Sequence, residues 1–302
     1  MFPDGWHYYI NVVLKGSAPK KFIAGDNVCG IDPGMSTIAA VSDDKVVLEE
    51  LAPDIGKYNK KITEILRHMD MSRHMSNPEK YKPDGTIDKN NHDRWTFSKT
   101  YYRLRRELRS LYRTKSEYIK HSHNALVNRL LKNAKYFIIE DMDYAALAKQ
   151  SKKTERSDKI FDVVSKDGTV KQVHKYKRKK RFGKSLNNRA PALFIRQLEQ
   201  KVSTYDGSVT KIATKDFRAS QYDHSTDTYV KVPLSQREKV IDGHTVQRDL
   251  YSAFLILNAD DTLKHPNRDK CVYTFESFVK RQDGLISEMK GNNISMKQCF
   301  GF

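Results

Sequence analysis

The chain has 302 residues, and its 38% hydrophobic content excludes a disordered protein, because that fraction supports a sizeable core. Its formal net charge of +18 favours nucleic acid as a partner that relieves self-repulsion, although charge alone leaves a basic ribosomal-type or membrane-surface protein open. The three cysteines exclude a CxxC zinc ribbon and a disulfide framework, because they lie far apart, at Cys29, Cys271 and Cys299.

The N-terminal sequence does not predict a signal peptide. MFPDGWHYYINVV lacks the basic flank and long apolar run of a signal peptide, and no later stretch is long enough to span a bilayer. We therefore expect a cytoplasmic protein. Residues 6–14 alternate aromatic and β-branched side chains as a strand does, and a basic linker follows at 15–21.

Closely spaced strands are predicted from residue 28 onwards. The segments VCGID, STIAAVS and KVVLEEL are separated by the short turns PGM and DD, which is typical of an antiparallel meander. Asp32 ends the first of these strands. Gly30 and Gly34 flank it, and we expect them to let the backbone turn sharply and approach a ligand.

Helices are predicted at 58–69 and 95–133, with a polar loop between them. The histidines in and near this loop have no recurring ligand spacing, so a solvated loop is the preferred interpretation. The second helix has an apolar stripe at steps of three, four and seven, and a basic stripe with few acids to balance it. We favour phosphate contact over a merely solvated face for this stripe, and the predicted nucleic-acid contacts are Arg103, Arg106, Arg109 and Arg113.

A short apolar run, YFIIE, then predicts a strand buried in the middle of the sheet and ending at Glu140. The most basic part of the chain follows at 148–190 and has no apolar period. Such a run is either simply solvated or in contact with nucleic acid. The candidate contacts in it are Lys177, Arg178, Lys179, Lys180 and Arg181.

The remaining predicted elements are a helix at 192–205, a strand at 209–214 and a helix from about residue 246. This last helix carries Asp249 beside its apolar stripe, with Arg248 as a further nucleic-acid contact. The small residues Ser252 and Ala253 one turn on would leave room for a metal or a phosphate. After about residue 260 the sequence shows no clear pattern.

Asp32, Glu140 and Asp249 are the candidate catalytic and metal-binding residues. Phosphodiester hydrolysis with two metal ions needs carboxylate oxygens from separate elements. Each acid also has a structural interpretation of its own, as a turn cap, a strand-end carboxylate and a helix N-terminal acid respectively. It is their order along the chain that favours a nuclease.

Three segments in this order resemble the RuvC motifs of TnpB (OrfB) proteins, the transposon-encoded relatives of type V CRISPR effector nucleases: GIDPGMSTIAAVSDD, FIIEDMDY and VQRDLYSAFLI. KRKKRFGKSLNNRAP and FRASQYDH resemble segments of one branch of that family. The resemblance covers about residues 22–258.

The resemblance implies an α/β, ribonuclease H-like (RuvC) fold, with a mixed five-stranded sheet flanked by helices and basic helical insertions. It implies that Asp32, Glu140 and Asp249 bind two Mg²⁺ or Mn²⁺ ions for cleavage of single-stranded or unwound DNA. It also implies a guide RNA transcribed from the transposon end. No membrane partner is implied.

The expected division of the chain follows from the same resemblance. Residues 1–21 are the remnant of an N-terminal wedge domain, 22–260 the nuclease domain and 261–302 a C-terminal tail. The nuclease domain contains a helical insert at 52–135, a basic insert at 148–190, and at 215–246 a target-nucleic-acid-binding insert without zinc.

Two departures from the family pattern stand out. Residues 215–246 contain no cysteine where relatives carry a CxxC...CxxC zinc ribbon, and His224 and His244 alone cannot replace four ligands. We therefore expect no structural zinc and an insert held by packing and hydrogen bonds. Only WHYYINVVLKGS resembles the end of the family's N-terminal region, so a truncated product or fragment is expected.

Three alternative functions remain. One is a nucleic-acid-binding remnant of a transposon protein that has lost cleavage. Another is a Holliday-junction resolvase, which shares the GIDPG segment but does not account for the basic insert or the third motif. The third is an HNH-containing relative, disfavoured because no His-Asn-His module lies between Glu140 and Asp249.

Overall fold

The computed structural model describes residues 8–16, 19–148, 156–164, 169–176, 182–233 and 235–295. The strands are β1 (Asn27–Pro33), β2 (Thr37–Ser42), β3 (Val46–Glu50), β4 (Ala134–Glu140), β5 (Arg156–Val164), β6 (Val170–Tyr176), β7 (Ser208–Ile212), β8 (Tyr222–Asp223), β9 (Thr228–Tyr229), β10 (Glu238–Ile241) and β11 (His244–Gln247). The helices are α1 (Ile55–Ser76), α2 (Lys99–Leu131), α3 (Tyr144–Ala148), α4 (Gly183–Arg189), α5 (Pro191–Thr204), α6 (Thr214–Phe217), α7 (Arg248–Leu257) and α8 (Arg268–Gly291).

A five-stranded mixed sheet organises the fold, with its strands in the order β3-β2-β1-β4-β7. The predicted meander is confirmed, because β2 runs antiparallel to both β1 and β3. β4 runs parallel to β1 and to β7, so the strand that ends at Glu140 is interior. Helices cover both faces of the sheet, and this arrangement confirms the predicted α/β, ribonuclease H-like fold class.

The two faces of the sheet bury separate hydrophobic clusters. On one face, here called the α7 face, α7 and α8 pack over alternate residues of β2 and β3. On the other, the α2 face, the C-terminal part of α2 and α5 pack over Ile31, Phe137 and Ile139. Fully burying one such side chain contributes about 1.5–3 kcal/mol, so both layers stabilise the sheet substantially.

Gly30 brings α7 into close contact with β1. A Cβ at this position would lie 2.4 Å from the Ala253 carbonyl oxygen and 2.4 Å from the Leu257 backbone nitrogen. Gly30 therefore lets α7 pack closely on the middle of β1. This role differs from the sharp turn that we expected of Gly30. Ala253 contributes its backbone carbonyl to this contact and is itself buried.

α1 and α2 pack together as a long helical pair. α1 (Ile55–Ser76) extends beyond both ends of the helix predicted at 58–69. Ile65 and Met69 of α1 pack against Leu104 of α2. The loop between the helices is largely exposed, as expected, but Lys80 within it is buried. The Lys80 ammonium lies 5.1 Å from the centre of the Trp95 ring and donates to the Asn91 side chain at 3.0 Å.

Three other regions differ from the sequence prediction. Residues 8–14 form no strand and are exposed, and no strand in the described part of the chain pairs with them. The basic region 148–190 contains the β5–β6 hairpin and α4 among its described residues. The C-terminal region contains α8, whose Phe275 and Phe278 pack into the cluster on the α7 face.

Aromatic packing holds the insert at 215–246. The buried His224 ring faces Phe275 with 4.6 Å between ring centres, and its Nδ1 lies 2.8 Å from the Tyr251 hydroxyl oxygen. The backbone N–H of His224 donates to the same hydroxyl oxygen at 3.1 Å. Packing and hydrogen bonds thus attach this insert to α7 and α8, whereas His244 is exposed.

Candidate functional site

Asp32 and Glu140 lie near the carboxyl ends of two adjacent parallel strands. Alternate residues of a strand face the same side of the sheet, so Asp32 shares the α7 face with Gly30. Its cross-strand partner Ala39 belongs to the cluster on that face. Glu140 shares the same face with Ile138, which packs against that cluster. Strand geometry thus directs both carboxylates towards α7.

Asp249 lies in the first turn of α7, where the helix dipole favours an acid. The Gln247 side chain caps this helix by accepting from the Leu250 backbone N–H at 2.6 Å. The buried Gln282 of α8 accepts from the Gln247 backbone N–H at 2.8 Å. α8 therefore helps to fix the end of α7 that carries the third candidate acid.

The three acids influence one another electrostatically. Burial is the largest cause that raises the pKa of Asp32 well above its ordinary value, followed by the negative charges of Asp249 and Glu140. Arg248 and a hydrogen bond with Ser252 act in the opposite direction. Burial also raises the pKa of Glu140 to about 7, against the effect of the Ala219 backbone. A cation in this cluster would relieve the repulsion.

Tyr144 and Ser252 belong to the surroundings of the site as well. The Tyr144 hydroxyl donates to the Pro33 carbonyl at 3.0 Å and so ties α3 to the end of β1. Burial is the main cause that raises the pKa of Tyr144, and the charges of Asp32 and Glu140 add to it. Ser252 was predicted only as a small residue. Tyr144 was not predicted, although it lies in the FIIEDMDY segment.

Asp249 is held by two arginines. Arg248 donates to its Oδ1 from Nε at 3.2 Å and from Nη2 at 3.0 Å. Arg237 Nη1 lies 3.7 Å from the Asp249 Oδ2. The Arg248 side chain is only 9% exposed and that of Asp249 16%, so this pair lies in surroundings where charge–charge interactions are weakly screened.

The donor chemistry of the three acids fits a hard divalent cation such as Mg²⁺, which prefers carboxylate oxygens. As placed, however, no group of three or more His, Cys, Asp or Glu side chains in the described part of the chain is arranged to hold a metal ion. In this arrangement, the Asp249 carboxylate contacts arginines instead. To bind a metal together with Asp32 and Glu140, Asp249 would have to exchange those contacts.

The predicted nucleic-acid contacts have varied surroundings. Arg103, Arg106 and Arg109 are exposed on α2, while Arg113 is partly buried and donates to the Ser110 hydroxyl at 3.3 Å. Arg248 is buried and directed at Asp249. The remaining candidates, Lys177, Arg178, Lys179, Lys180 and Arg181, lie outside the described residues.

Asp141 and Asp143 follow Glu140 in the sequence but make different contacts from it. Asp141 is exposed, and its backbone N–H donates to the Ile212 carbonyl at 2.8 Å. Asp143 lies beyond the end of β4, and its carboxylate accepts from the Ala146 backbone N–H at 2.8 Å. Asp143 therefore caps the short helix α3, and neither residue is a candidate for the catalytic site.

Comparison with known proteins gives structural similarity but no sequence match. No family model and no curated protein sequence matches the chain. The structure is similar to a chain in the cryo-EM structure of the Cas12f1–sgRNA–target DNA complex, with a TM-score of 0.44 and 12% identity. The match covers 80% of this chain and only 40% of that chain. None of the described helices has the length and apolarity needed to cross a membrane.

Proposed function

We propose that this protein is the DNA-cutting core of a TnpB-like, transposon-encoded nuclease, that it depends on Mg²⁺ or Mn²⁺, and that it acts with a guide RNA. The observation that carries the proposal is the convergence of Asp32, Glu140 and Asp249 on one face of a ribonuclease H-like sheet. Two are strand-end acids and one begins a helix. Burial is the main cause that raises the pKa of Asp32, and Asp249 and Glu140 lie close enough for their charges to add to it.

In this proposal, the carboxylates hold the catalytic metal. When bound, the metal ions supply an activated water and stabilise the leaving oxygen of the phosphodiester. The role of Asp32 and Glu140 is to provide oxygen ligands from the interior strands of the sheet. Asp249 provides the third carboxylate from a capped helix end. The rigid elements around them would keep their relative positions fixed during the reaction.

The direct test is a cleavage assay with the purified chain, single-stranded DNA and either Mg²⁺ or Mn²⁺. The assay is run with and without RNA co-expressed from the locus of the protein. We expect metal-dependent cutting that Asp32→Ala abolishes. Cleavage that is equal in wild-type and Asp32→Ala protein would assign the activity to a contaminant, and no cleavage under any of these conditions would reject the proposal.

A second candidate function is nucleic-acid binding without cleavage. It is favoured by the pairing of Asp249 with Arg248 and Arg237, which satisfies the third acid without any metal. This function predicts salt-sensitive binding that Asp32→Ala does not change. Metal-dependent cutting at defined positions would exclude it.

Sequencing the RNA that co-purifies with the chain separates a guided effector, which retains one discrete transcript, from a remnant, which retains a mixture.

A further inference from the structure

The N-terminal half of α2 extends beyond the sheet at the end where the candidate acids lie. β3 runs parallel to β1, because both are antiparallel to β2, so the residues after β3 lie at the same end as Asp32. Ala52 and Ile55, which follow β3, pack against Ile119 of α2. The helix continues for about 25 Å from Ile119 back to Tyr102, at 1.5 Å per residue. That part of α2 packs on α1.

The exposed side of this projecting segment combines arginines and tyrosines. Tyr102, Arg105, Arg109 and Tyr112 follow one another at steps of three, four and three, which places them on one side of the helix. Arg106 lies beside them. The side chains of Tyr102 and Tyr112 are 50% and 47% exposed. We call this surface the α2 ridge and define it by these five residues.

The arginines of the α2 ridge carry unbalanced charge. Within the described ranges of the chain, Arg105, Arg106 and Arg109 form no ion pair and no side-chain hydrogen bond. By contrast, Arg129 on the same helix pairs with Glu49. The nearby acid Glu107 faces away from the ridge, into a cleft of about 510 Å³ that it lines together with Glu64. The ridge is therefore a cationic surface whose complement is a polyanion.

The exposed tyrosines indicate which kind of polyanion the α2 ridge fits. The Tyr102 ring is held by edge contacts with Phe97 and Tyr101, with ring centres 6.1 and 6.2 Å apart. Half-exposed rings can stack on bases, but in a duplex the base faces are already stacked on each other. A single strand offers unpaired bases together with phosphates. The two rings are about 15 Å apart along the helix, which leaves room for the arginines to contact phosphates between them.

We propose that the α2 ridge binds single-stranded nucleic acid, with Arg105, Arg106 and Arg109 on its phosphates and with Tyr102 and Tyr112 stacked on unpaired bases. This inference rests on the proposed function, since it assigns a strand-holding surface at the end of the sheet that carries the candidate acids. DNA and RNA strands share the chemistry that the ridge recognises, and the experiment compares the two.

The test measures fluorescence anisotropy of labelled oligothymidylate, labelled oligouridylate and a labelled DNA duplex in EDTA, with Asp32→Asn protein as the background. We expect Tyr102→Leu/Tyr112→Leu to weaken single-strand binding by about 30-fold or more. Duplex binding should be unchanged, and Tyr102→Phe/Tyr112→Phe should keep full affinity because the rings remain.

Arg105→Gln/Arg109→Gln should reduce the slope of log affinity against log salt by about 1.4. The α2 ridge prefers DNA if oligothymidylate binds more tightly, and RNA if oligouridylate binds more tightly.

The matched control is Arg129→Gln, which removes the same charge from the same helix where the arginine is already paired, and which should leave binding unchanged. Equal losses on single strands and duplex in the tyrosine variant would overturn the stacking role. Unchanged binding in the arginine variant would overturn the ridge as a whole. Because binding is measured without metal and on a cleavage-deficient background, neither result depends on whether the chain cuts DNA.

Discussion

The Arg248 guanidinium donates two hydrogen bonds, of 3.2 and 3.0 Å, to the same carboxylate oxygen of its chain neighbour Asp249. Its charge also opposes the rise in the pKa of Asp32. Arg248 thus supplies positive charge to the acidic cluster from within the protein. Any metal that binds Asp249 has to compete with this arginine.

Arg248→Gln should therefore destabilise the metal-free protein while strengthening its response to metal. We expect a loss of about 2 kcal/mol in the free energy of unfolding, because among the described residues Asp249 then keeps the more distant Arg237 as its cationic partner. Urea denaturation checks the loss, which should be smaller in Arg248→Gln/Asp249→Asn. The Mg²⁺-induced rise in Tm should be larger in Arg248→Gln than in wild type; an equal rise would show that Arg248 does not compete with the metal.

Asp32→Asn should raise the Tm of the metal-free protein and remove its response to Mg²⁺ or Mn²⁺. The first effect follows from the loss of a negative charge that lies close to Asp249 and Glu140. The second follows from the loss of a metal ligand, since binding to the folded state alone raises Tm. Differential scanning calorimetry measures both. The exposed Asp141→Asn is the control, and a metal response retained in Asp32→Asn would place the metal elsewhere.

The Mg²⁺-induced rise in Tm should increase with pH through about 7, because burial raises the pKa of Glu140 to that value and a metal ligand must be deprotonated. The folded pKa lies above the unfolded value of 4.5, so the stability that Glu140 contributes is present below pH 4.5 and lost as the pH rises through 7. Thermal melts of wild-type and Glu140→Gln protein across this window measure both effects. If Glu140→Gln protein shows the same pH dependence of Tm as wild type, this role of Glu140 is contradicted.

His123 should make the protein acid-sensitive. Its ring is buried against Phe194, and neither ring nitrogen makes a hydrogen bond of normal geometry with any described residue. Burial lowers its pKa from 6.5 to about 4, and the Arg189 backbone only partly offsets this. The unfolded state therefore binds the proton first, and stability should fall by about 3 kcal/mol between pH 6.5 and 4.

The comparison that isolates this effect is His123→Leu against His121→Leu, on the exposed side of the same helix. We expect only His123→Leu to lose that part of the pH dependence of the free energy of unfolding, measured by urea titration at several pH values. If both variants retain the wild-type slope, another group causes the acid sensitivity.

Gly30→Ala should disrupt the packing of α7 on β1. The added Cβ would lie 2.4 Å from backbone atoms of α7, so the helix would have to move. We expect a loss of about 3 kcal/mol or more, as for severe overpacking. The control is Gly284→Ala in α8, where nothing lies within 4 Å of the added Cβ. That variant should be neutral or slightly more stable. Equal melting temperatures for the two variants would contradict the close contact.

Local patterns in the sequence were sufficient to predict the meander, the interior strand and the strand-end positions of Asp32 and Glu140. Strand alternation and short turns are local properties that need no knowledge of the rest of the fold. The pairing of Asp249 with Arg237 was not predictable in this way. It depends on how the segment before β10 returns to α7, which is set by tertiary packing.

The helix α8 was missed although its buried residues carry a helical signal. Cys271, Phe275, Phe278, Gln282, Ile286 and Met289 recur at steps of three or four. Two features obscure this stripe. Gln282 is polar yet buried, because it hydrogen-bonds to the backbone of β11, and the apolar Val272 and Tyr273 are exposed. A polar residue at a core position is understandable only once its partner is known.

The contact between Gln282 and Gln247 sets a lower limit on the length of a functional chain. A protein shortened to end at residue 260 would expose Phe254 and Tyr251, which α8 covers, and would remove the Gln282 side chain that accepts from the Gln247 backbone N–H. The helix end that carries Asp249 would lose its external support at the same time. The part of α8 up to Gln282 thus supports the helix end that carries the third acid, and a shortened chain for expression should extend beyond this residue.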